Sequence, residues 1–194
     1  MDQELLERID LIERMVLEGR RSTQYWGWCL ALWGVGQLVA IGWQRYGGRP
    51  TLAWGVTMSI CGILTGLGIV RKRSQQRTET ALSRAVRSVW FSFGMSITLL
   101  AFLGNHAGIF SPRSFDAVFF SLMGLTFVAT GLILRWKVQI GVGLLWWAAS
   151  VFAIFGPGWM VGWMFIIMVF LAEVVFGVYL MAKEKADLRH ARTA

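Results

Sequence analysis

Few side chains in this 194-residue chain could do chemistry in an apolar setting, and Glu173 stands foremost. It is the one charged residue between Lys137 and Lys183. An ionised carboxylate deep in a bilayer costs on the order of 3 kcal/mol or more. Glu173 must therefore face other helices, carry a proton or find a partner. No Lys or Arg lies at matching depth, so a neutral carboxylic acid is expected, hydrogen-bonded to hydroxyls such as Thr126, Thr65 or Ser96. Intramembrane acids serve both as proton sites and as polar contacts between helices.

His106, beside Asn105 at the outer end of a third apolar segment, titrates near neutrality. It is a candidate sensor of external acidity, with an interfacial hydrogen-bonding role as the plainer reading. His190 lies in the carboxy-terminal tail, so two separated histidines offer neither a metal site nor a paired haem site. Cys29 and Cys61 both fall inside apolar segments and read as small packing residues. No metal and no cofactor is expected. There is no Gly-x-x-x-x-Gly-Lys-Ser/Thr loop, no His-Glu-x-x-His and no Gly-x-Ser-x-Gly elbow. The expectation is a protein without catalytic residues.

A second pattern is structural. Gly55, Ser59, Gly62 and Gly66 are spaced four, three and four, one face of a helix. Small residues in membrane helices let backbones approach closely, so this ridge is expected to pack against a neighbouring helix, with a pore lining or an oligomer contact as the other readings.

The elements that position these residues follow from charge spacing. The chain is 56% hydrophobic and 15% charged, against roughly 25% charged in soluble domains. That excludes an ordinary soluble domain, and the 14% aromatic content excludes a disordered chain. Spanning helices need about 20 largely apolar residues. The charge-free stretches fit six of them, near 24–43, 52–70, 89–109, 116–134, 138–155 and 160–181. The last two are divided by Gly156-Pro157-Gly158. Runs such as Met164 to Leu171 are apolar on every side, which suits helices rather than the alternating strands of a membrane barrel. The expected fold is all-α: a six-helix transmembrane bundle of three hairpins over 22–182, preceded by an amphipathic cytoplasmic helix over 1–21 and followed by a tail over 183–194.

Orientation follows from cation placement. With the amino terminus in the cytoplasm, sixteen of the 19 Lys and Arg residues fall inside, leaving Arg45, Arg49 and Arg113 outside. The net charge of +8 therefore requires no nucleic acid. The bilayer is the expected partner and the inner membrane the expected location, with both termini cytoplasmic. Trp26, Trp28, Trp90 and Trp136 mark one interface, and Trp43, Trp54, Trp159 and Trp163 the other. Trp33, Trp146 and Trp147 lie deeper, where they pack or hydrogen-bond.

Residues 2–18 are too acidic for a signal peptide. Leu5, Ile9, Ile12 and Val16 form a helical stripe instead. It lies along the membrane surface or docks on a partner, and the basic 71–87 segment, through Arg77 and Arg84, is a candidate acceptor.

The second helix of each expected hairpin carries a glycine, an apolar turn and then cations: Thr65-Gly66 to Lys72, Thr130-Gly131 to Arg135, and Phe176-Gly177 to Lys183. With Leu32-Trp33-Gly34-Val35-Gly36, Ser59 to Gly66, Gly141-Val142-Gly143 and Ala172 to Gly177, this arrangement resembles the HdeD-like family of acid-resistance membrane proteins. The resemblance implies three tandem hairpins and a stress-associated role, with no catalytic residues to carry over. The acidic leading segment, the long basic 71–87 stretch and the tryptophan load depart from it.

Two functions follow. One is a non-enzymatic inner-membrane component, structural or stress-responsive, acting as an oligomer or complex subunit. The alternative is a small proton-linked transporter or channel using Glu173. The deep tryptophans alone suggest a third, a pigment- or quinone-binding subunit.

Overall fold

A computed structural model describes Ile9, residues 26–73 and residues 81–193, with side chains defined except at 72–73, 105–106 and 187–193. Every extended element among the described residues is helical: α1 (Gly27–Gly47), α2 (Pro50–Arg73), α3 (Ala81–Ala107), α4 (Pro112–Ile133), α5 (Lys137–Phe155) and α6 (Gly158–Val169). The last continues through a π-helical segment, Phe170–Val175, into α7 (Phe176–Thr193). The expected leading helix lies outside the described residues except for Ile9, which is helical and exposed.

Glycine and proline set the boundaries. α1 ends at Gly48, whose φ of 64° is left-handed, a conformation glycine adopts without a Cβ clash. Pro50 then opens α2, where a missing N–H costs nothing. At the start of α4, Ser111 caps the helix by accepting from the Ser114 N–H at 3.1 Å, and Pro112 follows. α3 begins at Ala81, eight residues before the expected span, as the helical spacing in the basic segment anticipates.

Five of these helices are long and apolar enough to cross a membrane: Pro50–Arg71, Ala81–Gly104, Pro112–Ile133, Lys137–Phe155 and Gly158–Ala186. They fit a helical, multi-pass membrane protein. α1 is not among the five. Its 21 residues suffice in length, but Gln37 and Gln44, with several glycines and tryptophans, dilute its apolarity.

The helices form two compact units, the first from Thr80–Phe165 and the second from Thr23–Glu79 with Ile166–Ala194. In the first, α4 and α5 are the most extensively packed pair. Their connection, Leu134-Arg135-Trp136, folds back through bonds from the Trp136 N–H to the Gly131 carbonyl at 2.7 Å and from the Arg135 N–H to the Leu132 carbonyl at 3.2 Å. That is the pattern of a Schellman turn, with Arg135 left-handed at φ 49° where glycine is usual. A Cβ on Gly131 would lie 2.8 Å from the Ile140 nitrogen, and one on Gly143 2.8 Å from the Val128 nitrogen. Such close backbones are what small residues permit. Ser150 Oγ donates to the Ala117 carbonyl at 2.8 Å, and Trp147 Nε1 to the Ser121 carbonyl at 3.1 Å. Arg113 completes the join by donating to the carbonyls of Ala153, Ile154 and Gly156 at the end of α5. Phe119, Phe120, Trp146 and Phe165 fill the interior with neighbouring ring centroids 5.4–6.1 Å apart.

In the second unit, α1 packs against α2 on one side and against the π segment and α7 on another. Gly27 and Gly177 approach so closely that a Cβ on either would sit 2.7 Å from the other's carbonyl oxygen. α1 pairs with α2 and α3 with α4 as expected, but α5 packs most densely on α4, and the end of the last helix packs on α1. Gly131 and Gly143 draw the first of these contacts together, and Gly27, Gly34 and Gly177 the second.

Candidate functional site

Glu173 lies inside the π segment, 1% exposed. The extra residue in a π turn widens the helix locally, and such insertions are frequent at functional sites. Opposite it, Gly34 of α1 leaves room for the acid: a Cβ there would be 2.8 Å from the Glu173 Cβ. One helical turn further along α1, Gln37 reaches across and donates from Nε2 to Glu173 Oε2 at 2.7 Å. Gln37 is itself 6% exposed. The remaining oxygens, Glu173 Oε1 and Gln37 Oε1, are buried without a hydrogen-bond partner among the described residues.

The hydroxyls expected around the acid are engaged elsewhere. Thr65 accepts from Trp33 Nε1 at 3.0 Å, with Cys29 Sγ 3.7 Å away, and so ties α2 to α1. Thr126 donates to the Leu122 carbonyl one turn back on its own helix, at 2.8 Å. Ser96 is exposed on α3. The partner is instead a glutamine on the first helix. Its signal was an amide standing alone in an otherwise apolar segment, one turn after a glycine.

The small-residue ridge of α2 also falls differently. Gly55, Ser59, Gly62 and Gly66 are exposed, and a Cβ on any of the three glycines meets nothing within 4 Å. They line no contact with α1; Thr51, Leu52, Gly55, Val56, Ser59 and Ile60 outline a shallow open groove instead. The packed face of α2 is the adjacent row of Ala53, Thr57, Cys61 and Thr65. Ala53, Thr57 and Cys61 are buried, and Cys61 Sγ approaches the Leu32 carbonyl at 3.7 Å. Both rows have helical spacing, so periodicity alone does not choose between them.

His106 is helical near the end of α3, and its side chain is outside the described part. Of the docking residues, Leu5, Ile12, Val16 and Arg77 also lie outside it; Arg84 is exposed on the first turn of α3. Cys29 and Cys61 form no disulfide. Among the described residues no group of three His, Cys, Asp or Glu side chains could hold a metal ion.

The first unit holds further buried polar atoms without partners among the described residues: Thr130 Oγ1, Gln139 Oε1 and Trp146 Nε1. Trp146 is fully buried beneath Phe119 and Phe120. Among these buried polar groups of the described residues, the Glu173 pair joins an ionisable group to a partner on another helix.

An interhelical hydrogen bond within a bilayer contributes about 0.6 kcal/mol on average. Leaving a charge unpaired there costs several times more. The Glu173–Gln37 bond, donated by the amide, ties α1 to the π segment. No family model, curated protein or solved structure matches the chain.

Proposed function

We propose that the chain is a non-enzymatic, six-span inner-membrane protein with both termini in the cytoplasm, working as a structural or stress-responsive component within an oligomer or a larger membrane complex. The observation that carries this reading is the sealing of Glu173, which is 1% exposed and hydrogen-bonded to one side chain, Gln37. A transport path would gather several polar groups around a wet cavity at that depth. Here Thr65 and Thr126 spend their hydrogen bonds elsewhere. α1 counts as the sixth span because its least apolar buried residue is hydrogen-bonded to another helix rather than facing lipid. The stress-related part of the reading rests on the HdeD-like resemblance.

Two experiments test it. Native mass spectrometry of the protein extracted from membranes should find it associated with copies of itself or with unlike subunits; a stable monomer under all extraction conditions contradicts the proposal. Proteoliposomes with an imposed pH gradient should show no proton flux above empty vesicles. Flux present in the wild type and abolished by Glu173→Gln establishes the proton-linked alternative.

A further inference from the structure

The hydrogen bond between Gln37 and Glu173 leaves an imbalance. One amide donor faces the carboxyl group, yet Oε1 of each side chain is buried without a donor. A carboxylate offers acceptors only, whereas a carboxylic acid adds an O–H donor. If helix joining were the whole purpose, glutamine at position 173 would make the same contact with a donor to spare and no charge to bury. The acid supplies what an amide cannot, which is titration.

The surroundings narrow the ligand. Ca2+ and Mg2+ take at least six oxygen ligands and Zn2+ about four, mostly nitrogen or sulfur, whereas the pair supplies two unfilled oxygens. Among the described residues, no other charged side chain of the packed elements is shown in contact with the carboxylate. α1 turns Gly34 and Gln37 towards Glu173. Its titratable residues, Cys29, Arg45 and Tyr46, are at least eight positions from Gln37, about 12 Å along the axis. The π segment contains no second ionisable residue, and α7 first offers Tyr179, then Lys183, Glu184 and Lys185 towards its far end. A proton is the smallest cation that gives the buried oxygens a donor.

We propose that Glu173 and Gln37 form a proton-binding clasp between α1 and the π segment. In the loaded state Glu173 Oε1 carries the proton and donates it to Gln37 Oε1, while Gln37 Nε2 donates to Glu173 Oε2. Two hydrogen bonds then close the contact that Gly34 makes possible. Release of the proton to water leaves a carboxylate and an amide oxygen facing one another around a single amide donor, and α1 loosens from the π segment. The clasp is independent of whether protons cross the membrane, so a negative flux assay does not bear on it.

Infrared spectra of the full chain in lipid nanodiscs, recorded from acid to alkaline pH, test the proposal. The wild type should show a protonated-carboxyl stretch that Glu173→Gln removes and that disappears as pH rises. Once it disappears, hydrogen exchange of residues 30–40 should be faster in the wild type than in E173Q at the same pH. Gln37→Leu gives a second reading should E173Q fold poorly: the carboxyl band persists but moves to higher frequency as its hydrogen bonds are lost. A wild-type spectrum identical to that of E173Q, a band unmoved by Gln37→Leu, or equal exchange in wild type and E173Q at every pH overturns the clasp.

Discussion

At the scale of single residues, two side chains hold distant segments together, and the sequence announced neither role. Among the described residues Gln37 is the sole hydrogen-bonding side chain on Glu173, so Gln37→Leu removes one bond and strands a buried acid. Losing one member of a buried polar pair typically costs about 1–3 kcal/mol, and a loss within that range is expected from reversible denaturation in mixed micelles. An unchanged midpoint would show the bond to be idle. Arg113 was read as an external cation, one of three. In the structure its guanidinium caps α5 through three carbonyls, where a cation also complements the negative end of the helix. Arg113→Met should lower stability by about 1 kcal/mol, with Arg113→Lys recovering only part, because a single ammonium lacks the planar fork. Glu173 was legible because a charge in an apolar run is conspicuous. Gln37 and the reach of Arg113 were not, since each depends on which helices meet.

At the scale of elements, most breaks between helices were readable to within a few residues, though α3 starts eight residues early and α7 runs on to Thr193, and faces were not readable. Gly48-Arg49-Pro50 and Gly156-Pro157-Gly158 punctuate the chain where helices stop and start. The ridge from Gly55 to Gly66 has the spacing of a packed face, yet the neighbouring row through Ala53, Thr57 and Cys61 is the one buried. Gly62→Leu should therefore leave the thermal midpoint nearly unchanged, since a side chain there meets open space. Gly131→Leu should unfold the α4–α5 pair, where a Cβ already falls 2.8 Å from a backbone nitrogen. Equal effects of the two substitutions would contradict the assignment of faces. Arg135 supplies a third case. A side chain in the left-handed region costs about 1–2 kcal/mol, and Arg135→Gly is expected to raise the midpoint by relieving it; a lower midpoint would show that the arginine side chain outweighs the backbone.

At the scale of the whole molecule, charge spacing and apolar runs made the all-helical, multi-pass character legible. Order of packing was beyond its reach. Sequential hairpins are the simplest reading of short connections; close backbone approaches at Gly131 and Gly143 put α5 on α4, and those at Gly27, Gly34 and Gly177 put the π segment and α7 on α1. Membrane helices share a uniformly apolar exterior, so hydrophobicity does not select partners and close-fitting small residues do. The same argument bears on α1, whose polar content leaves it out of the five most apolar helices while Gln37 binds inside the protein. In the proposed six-span topology, α1 would cross the bilayer beside the buried acid. Cysteine labelling with a membrane-impermeant reagent tests this directly, using Tyr46→Cys, a position 90% exposed at the end of α1, and tags at the two chain ends, with the parent chain as background. The account predicts that residue 46 reacts only from outside the cell while both ends are reached only from the cytoplasm. Labelling of residue 46 from the cytoplasmic side, or chain ends on opposite faces, would contradict it.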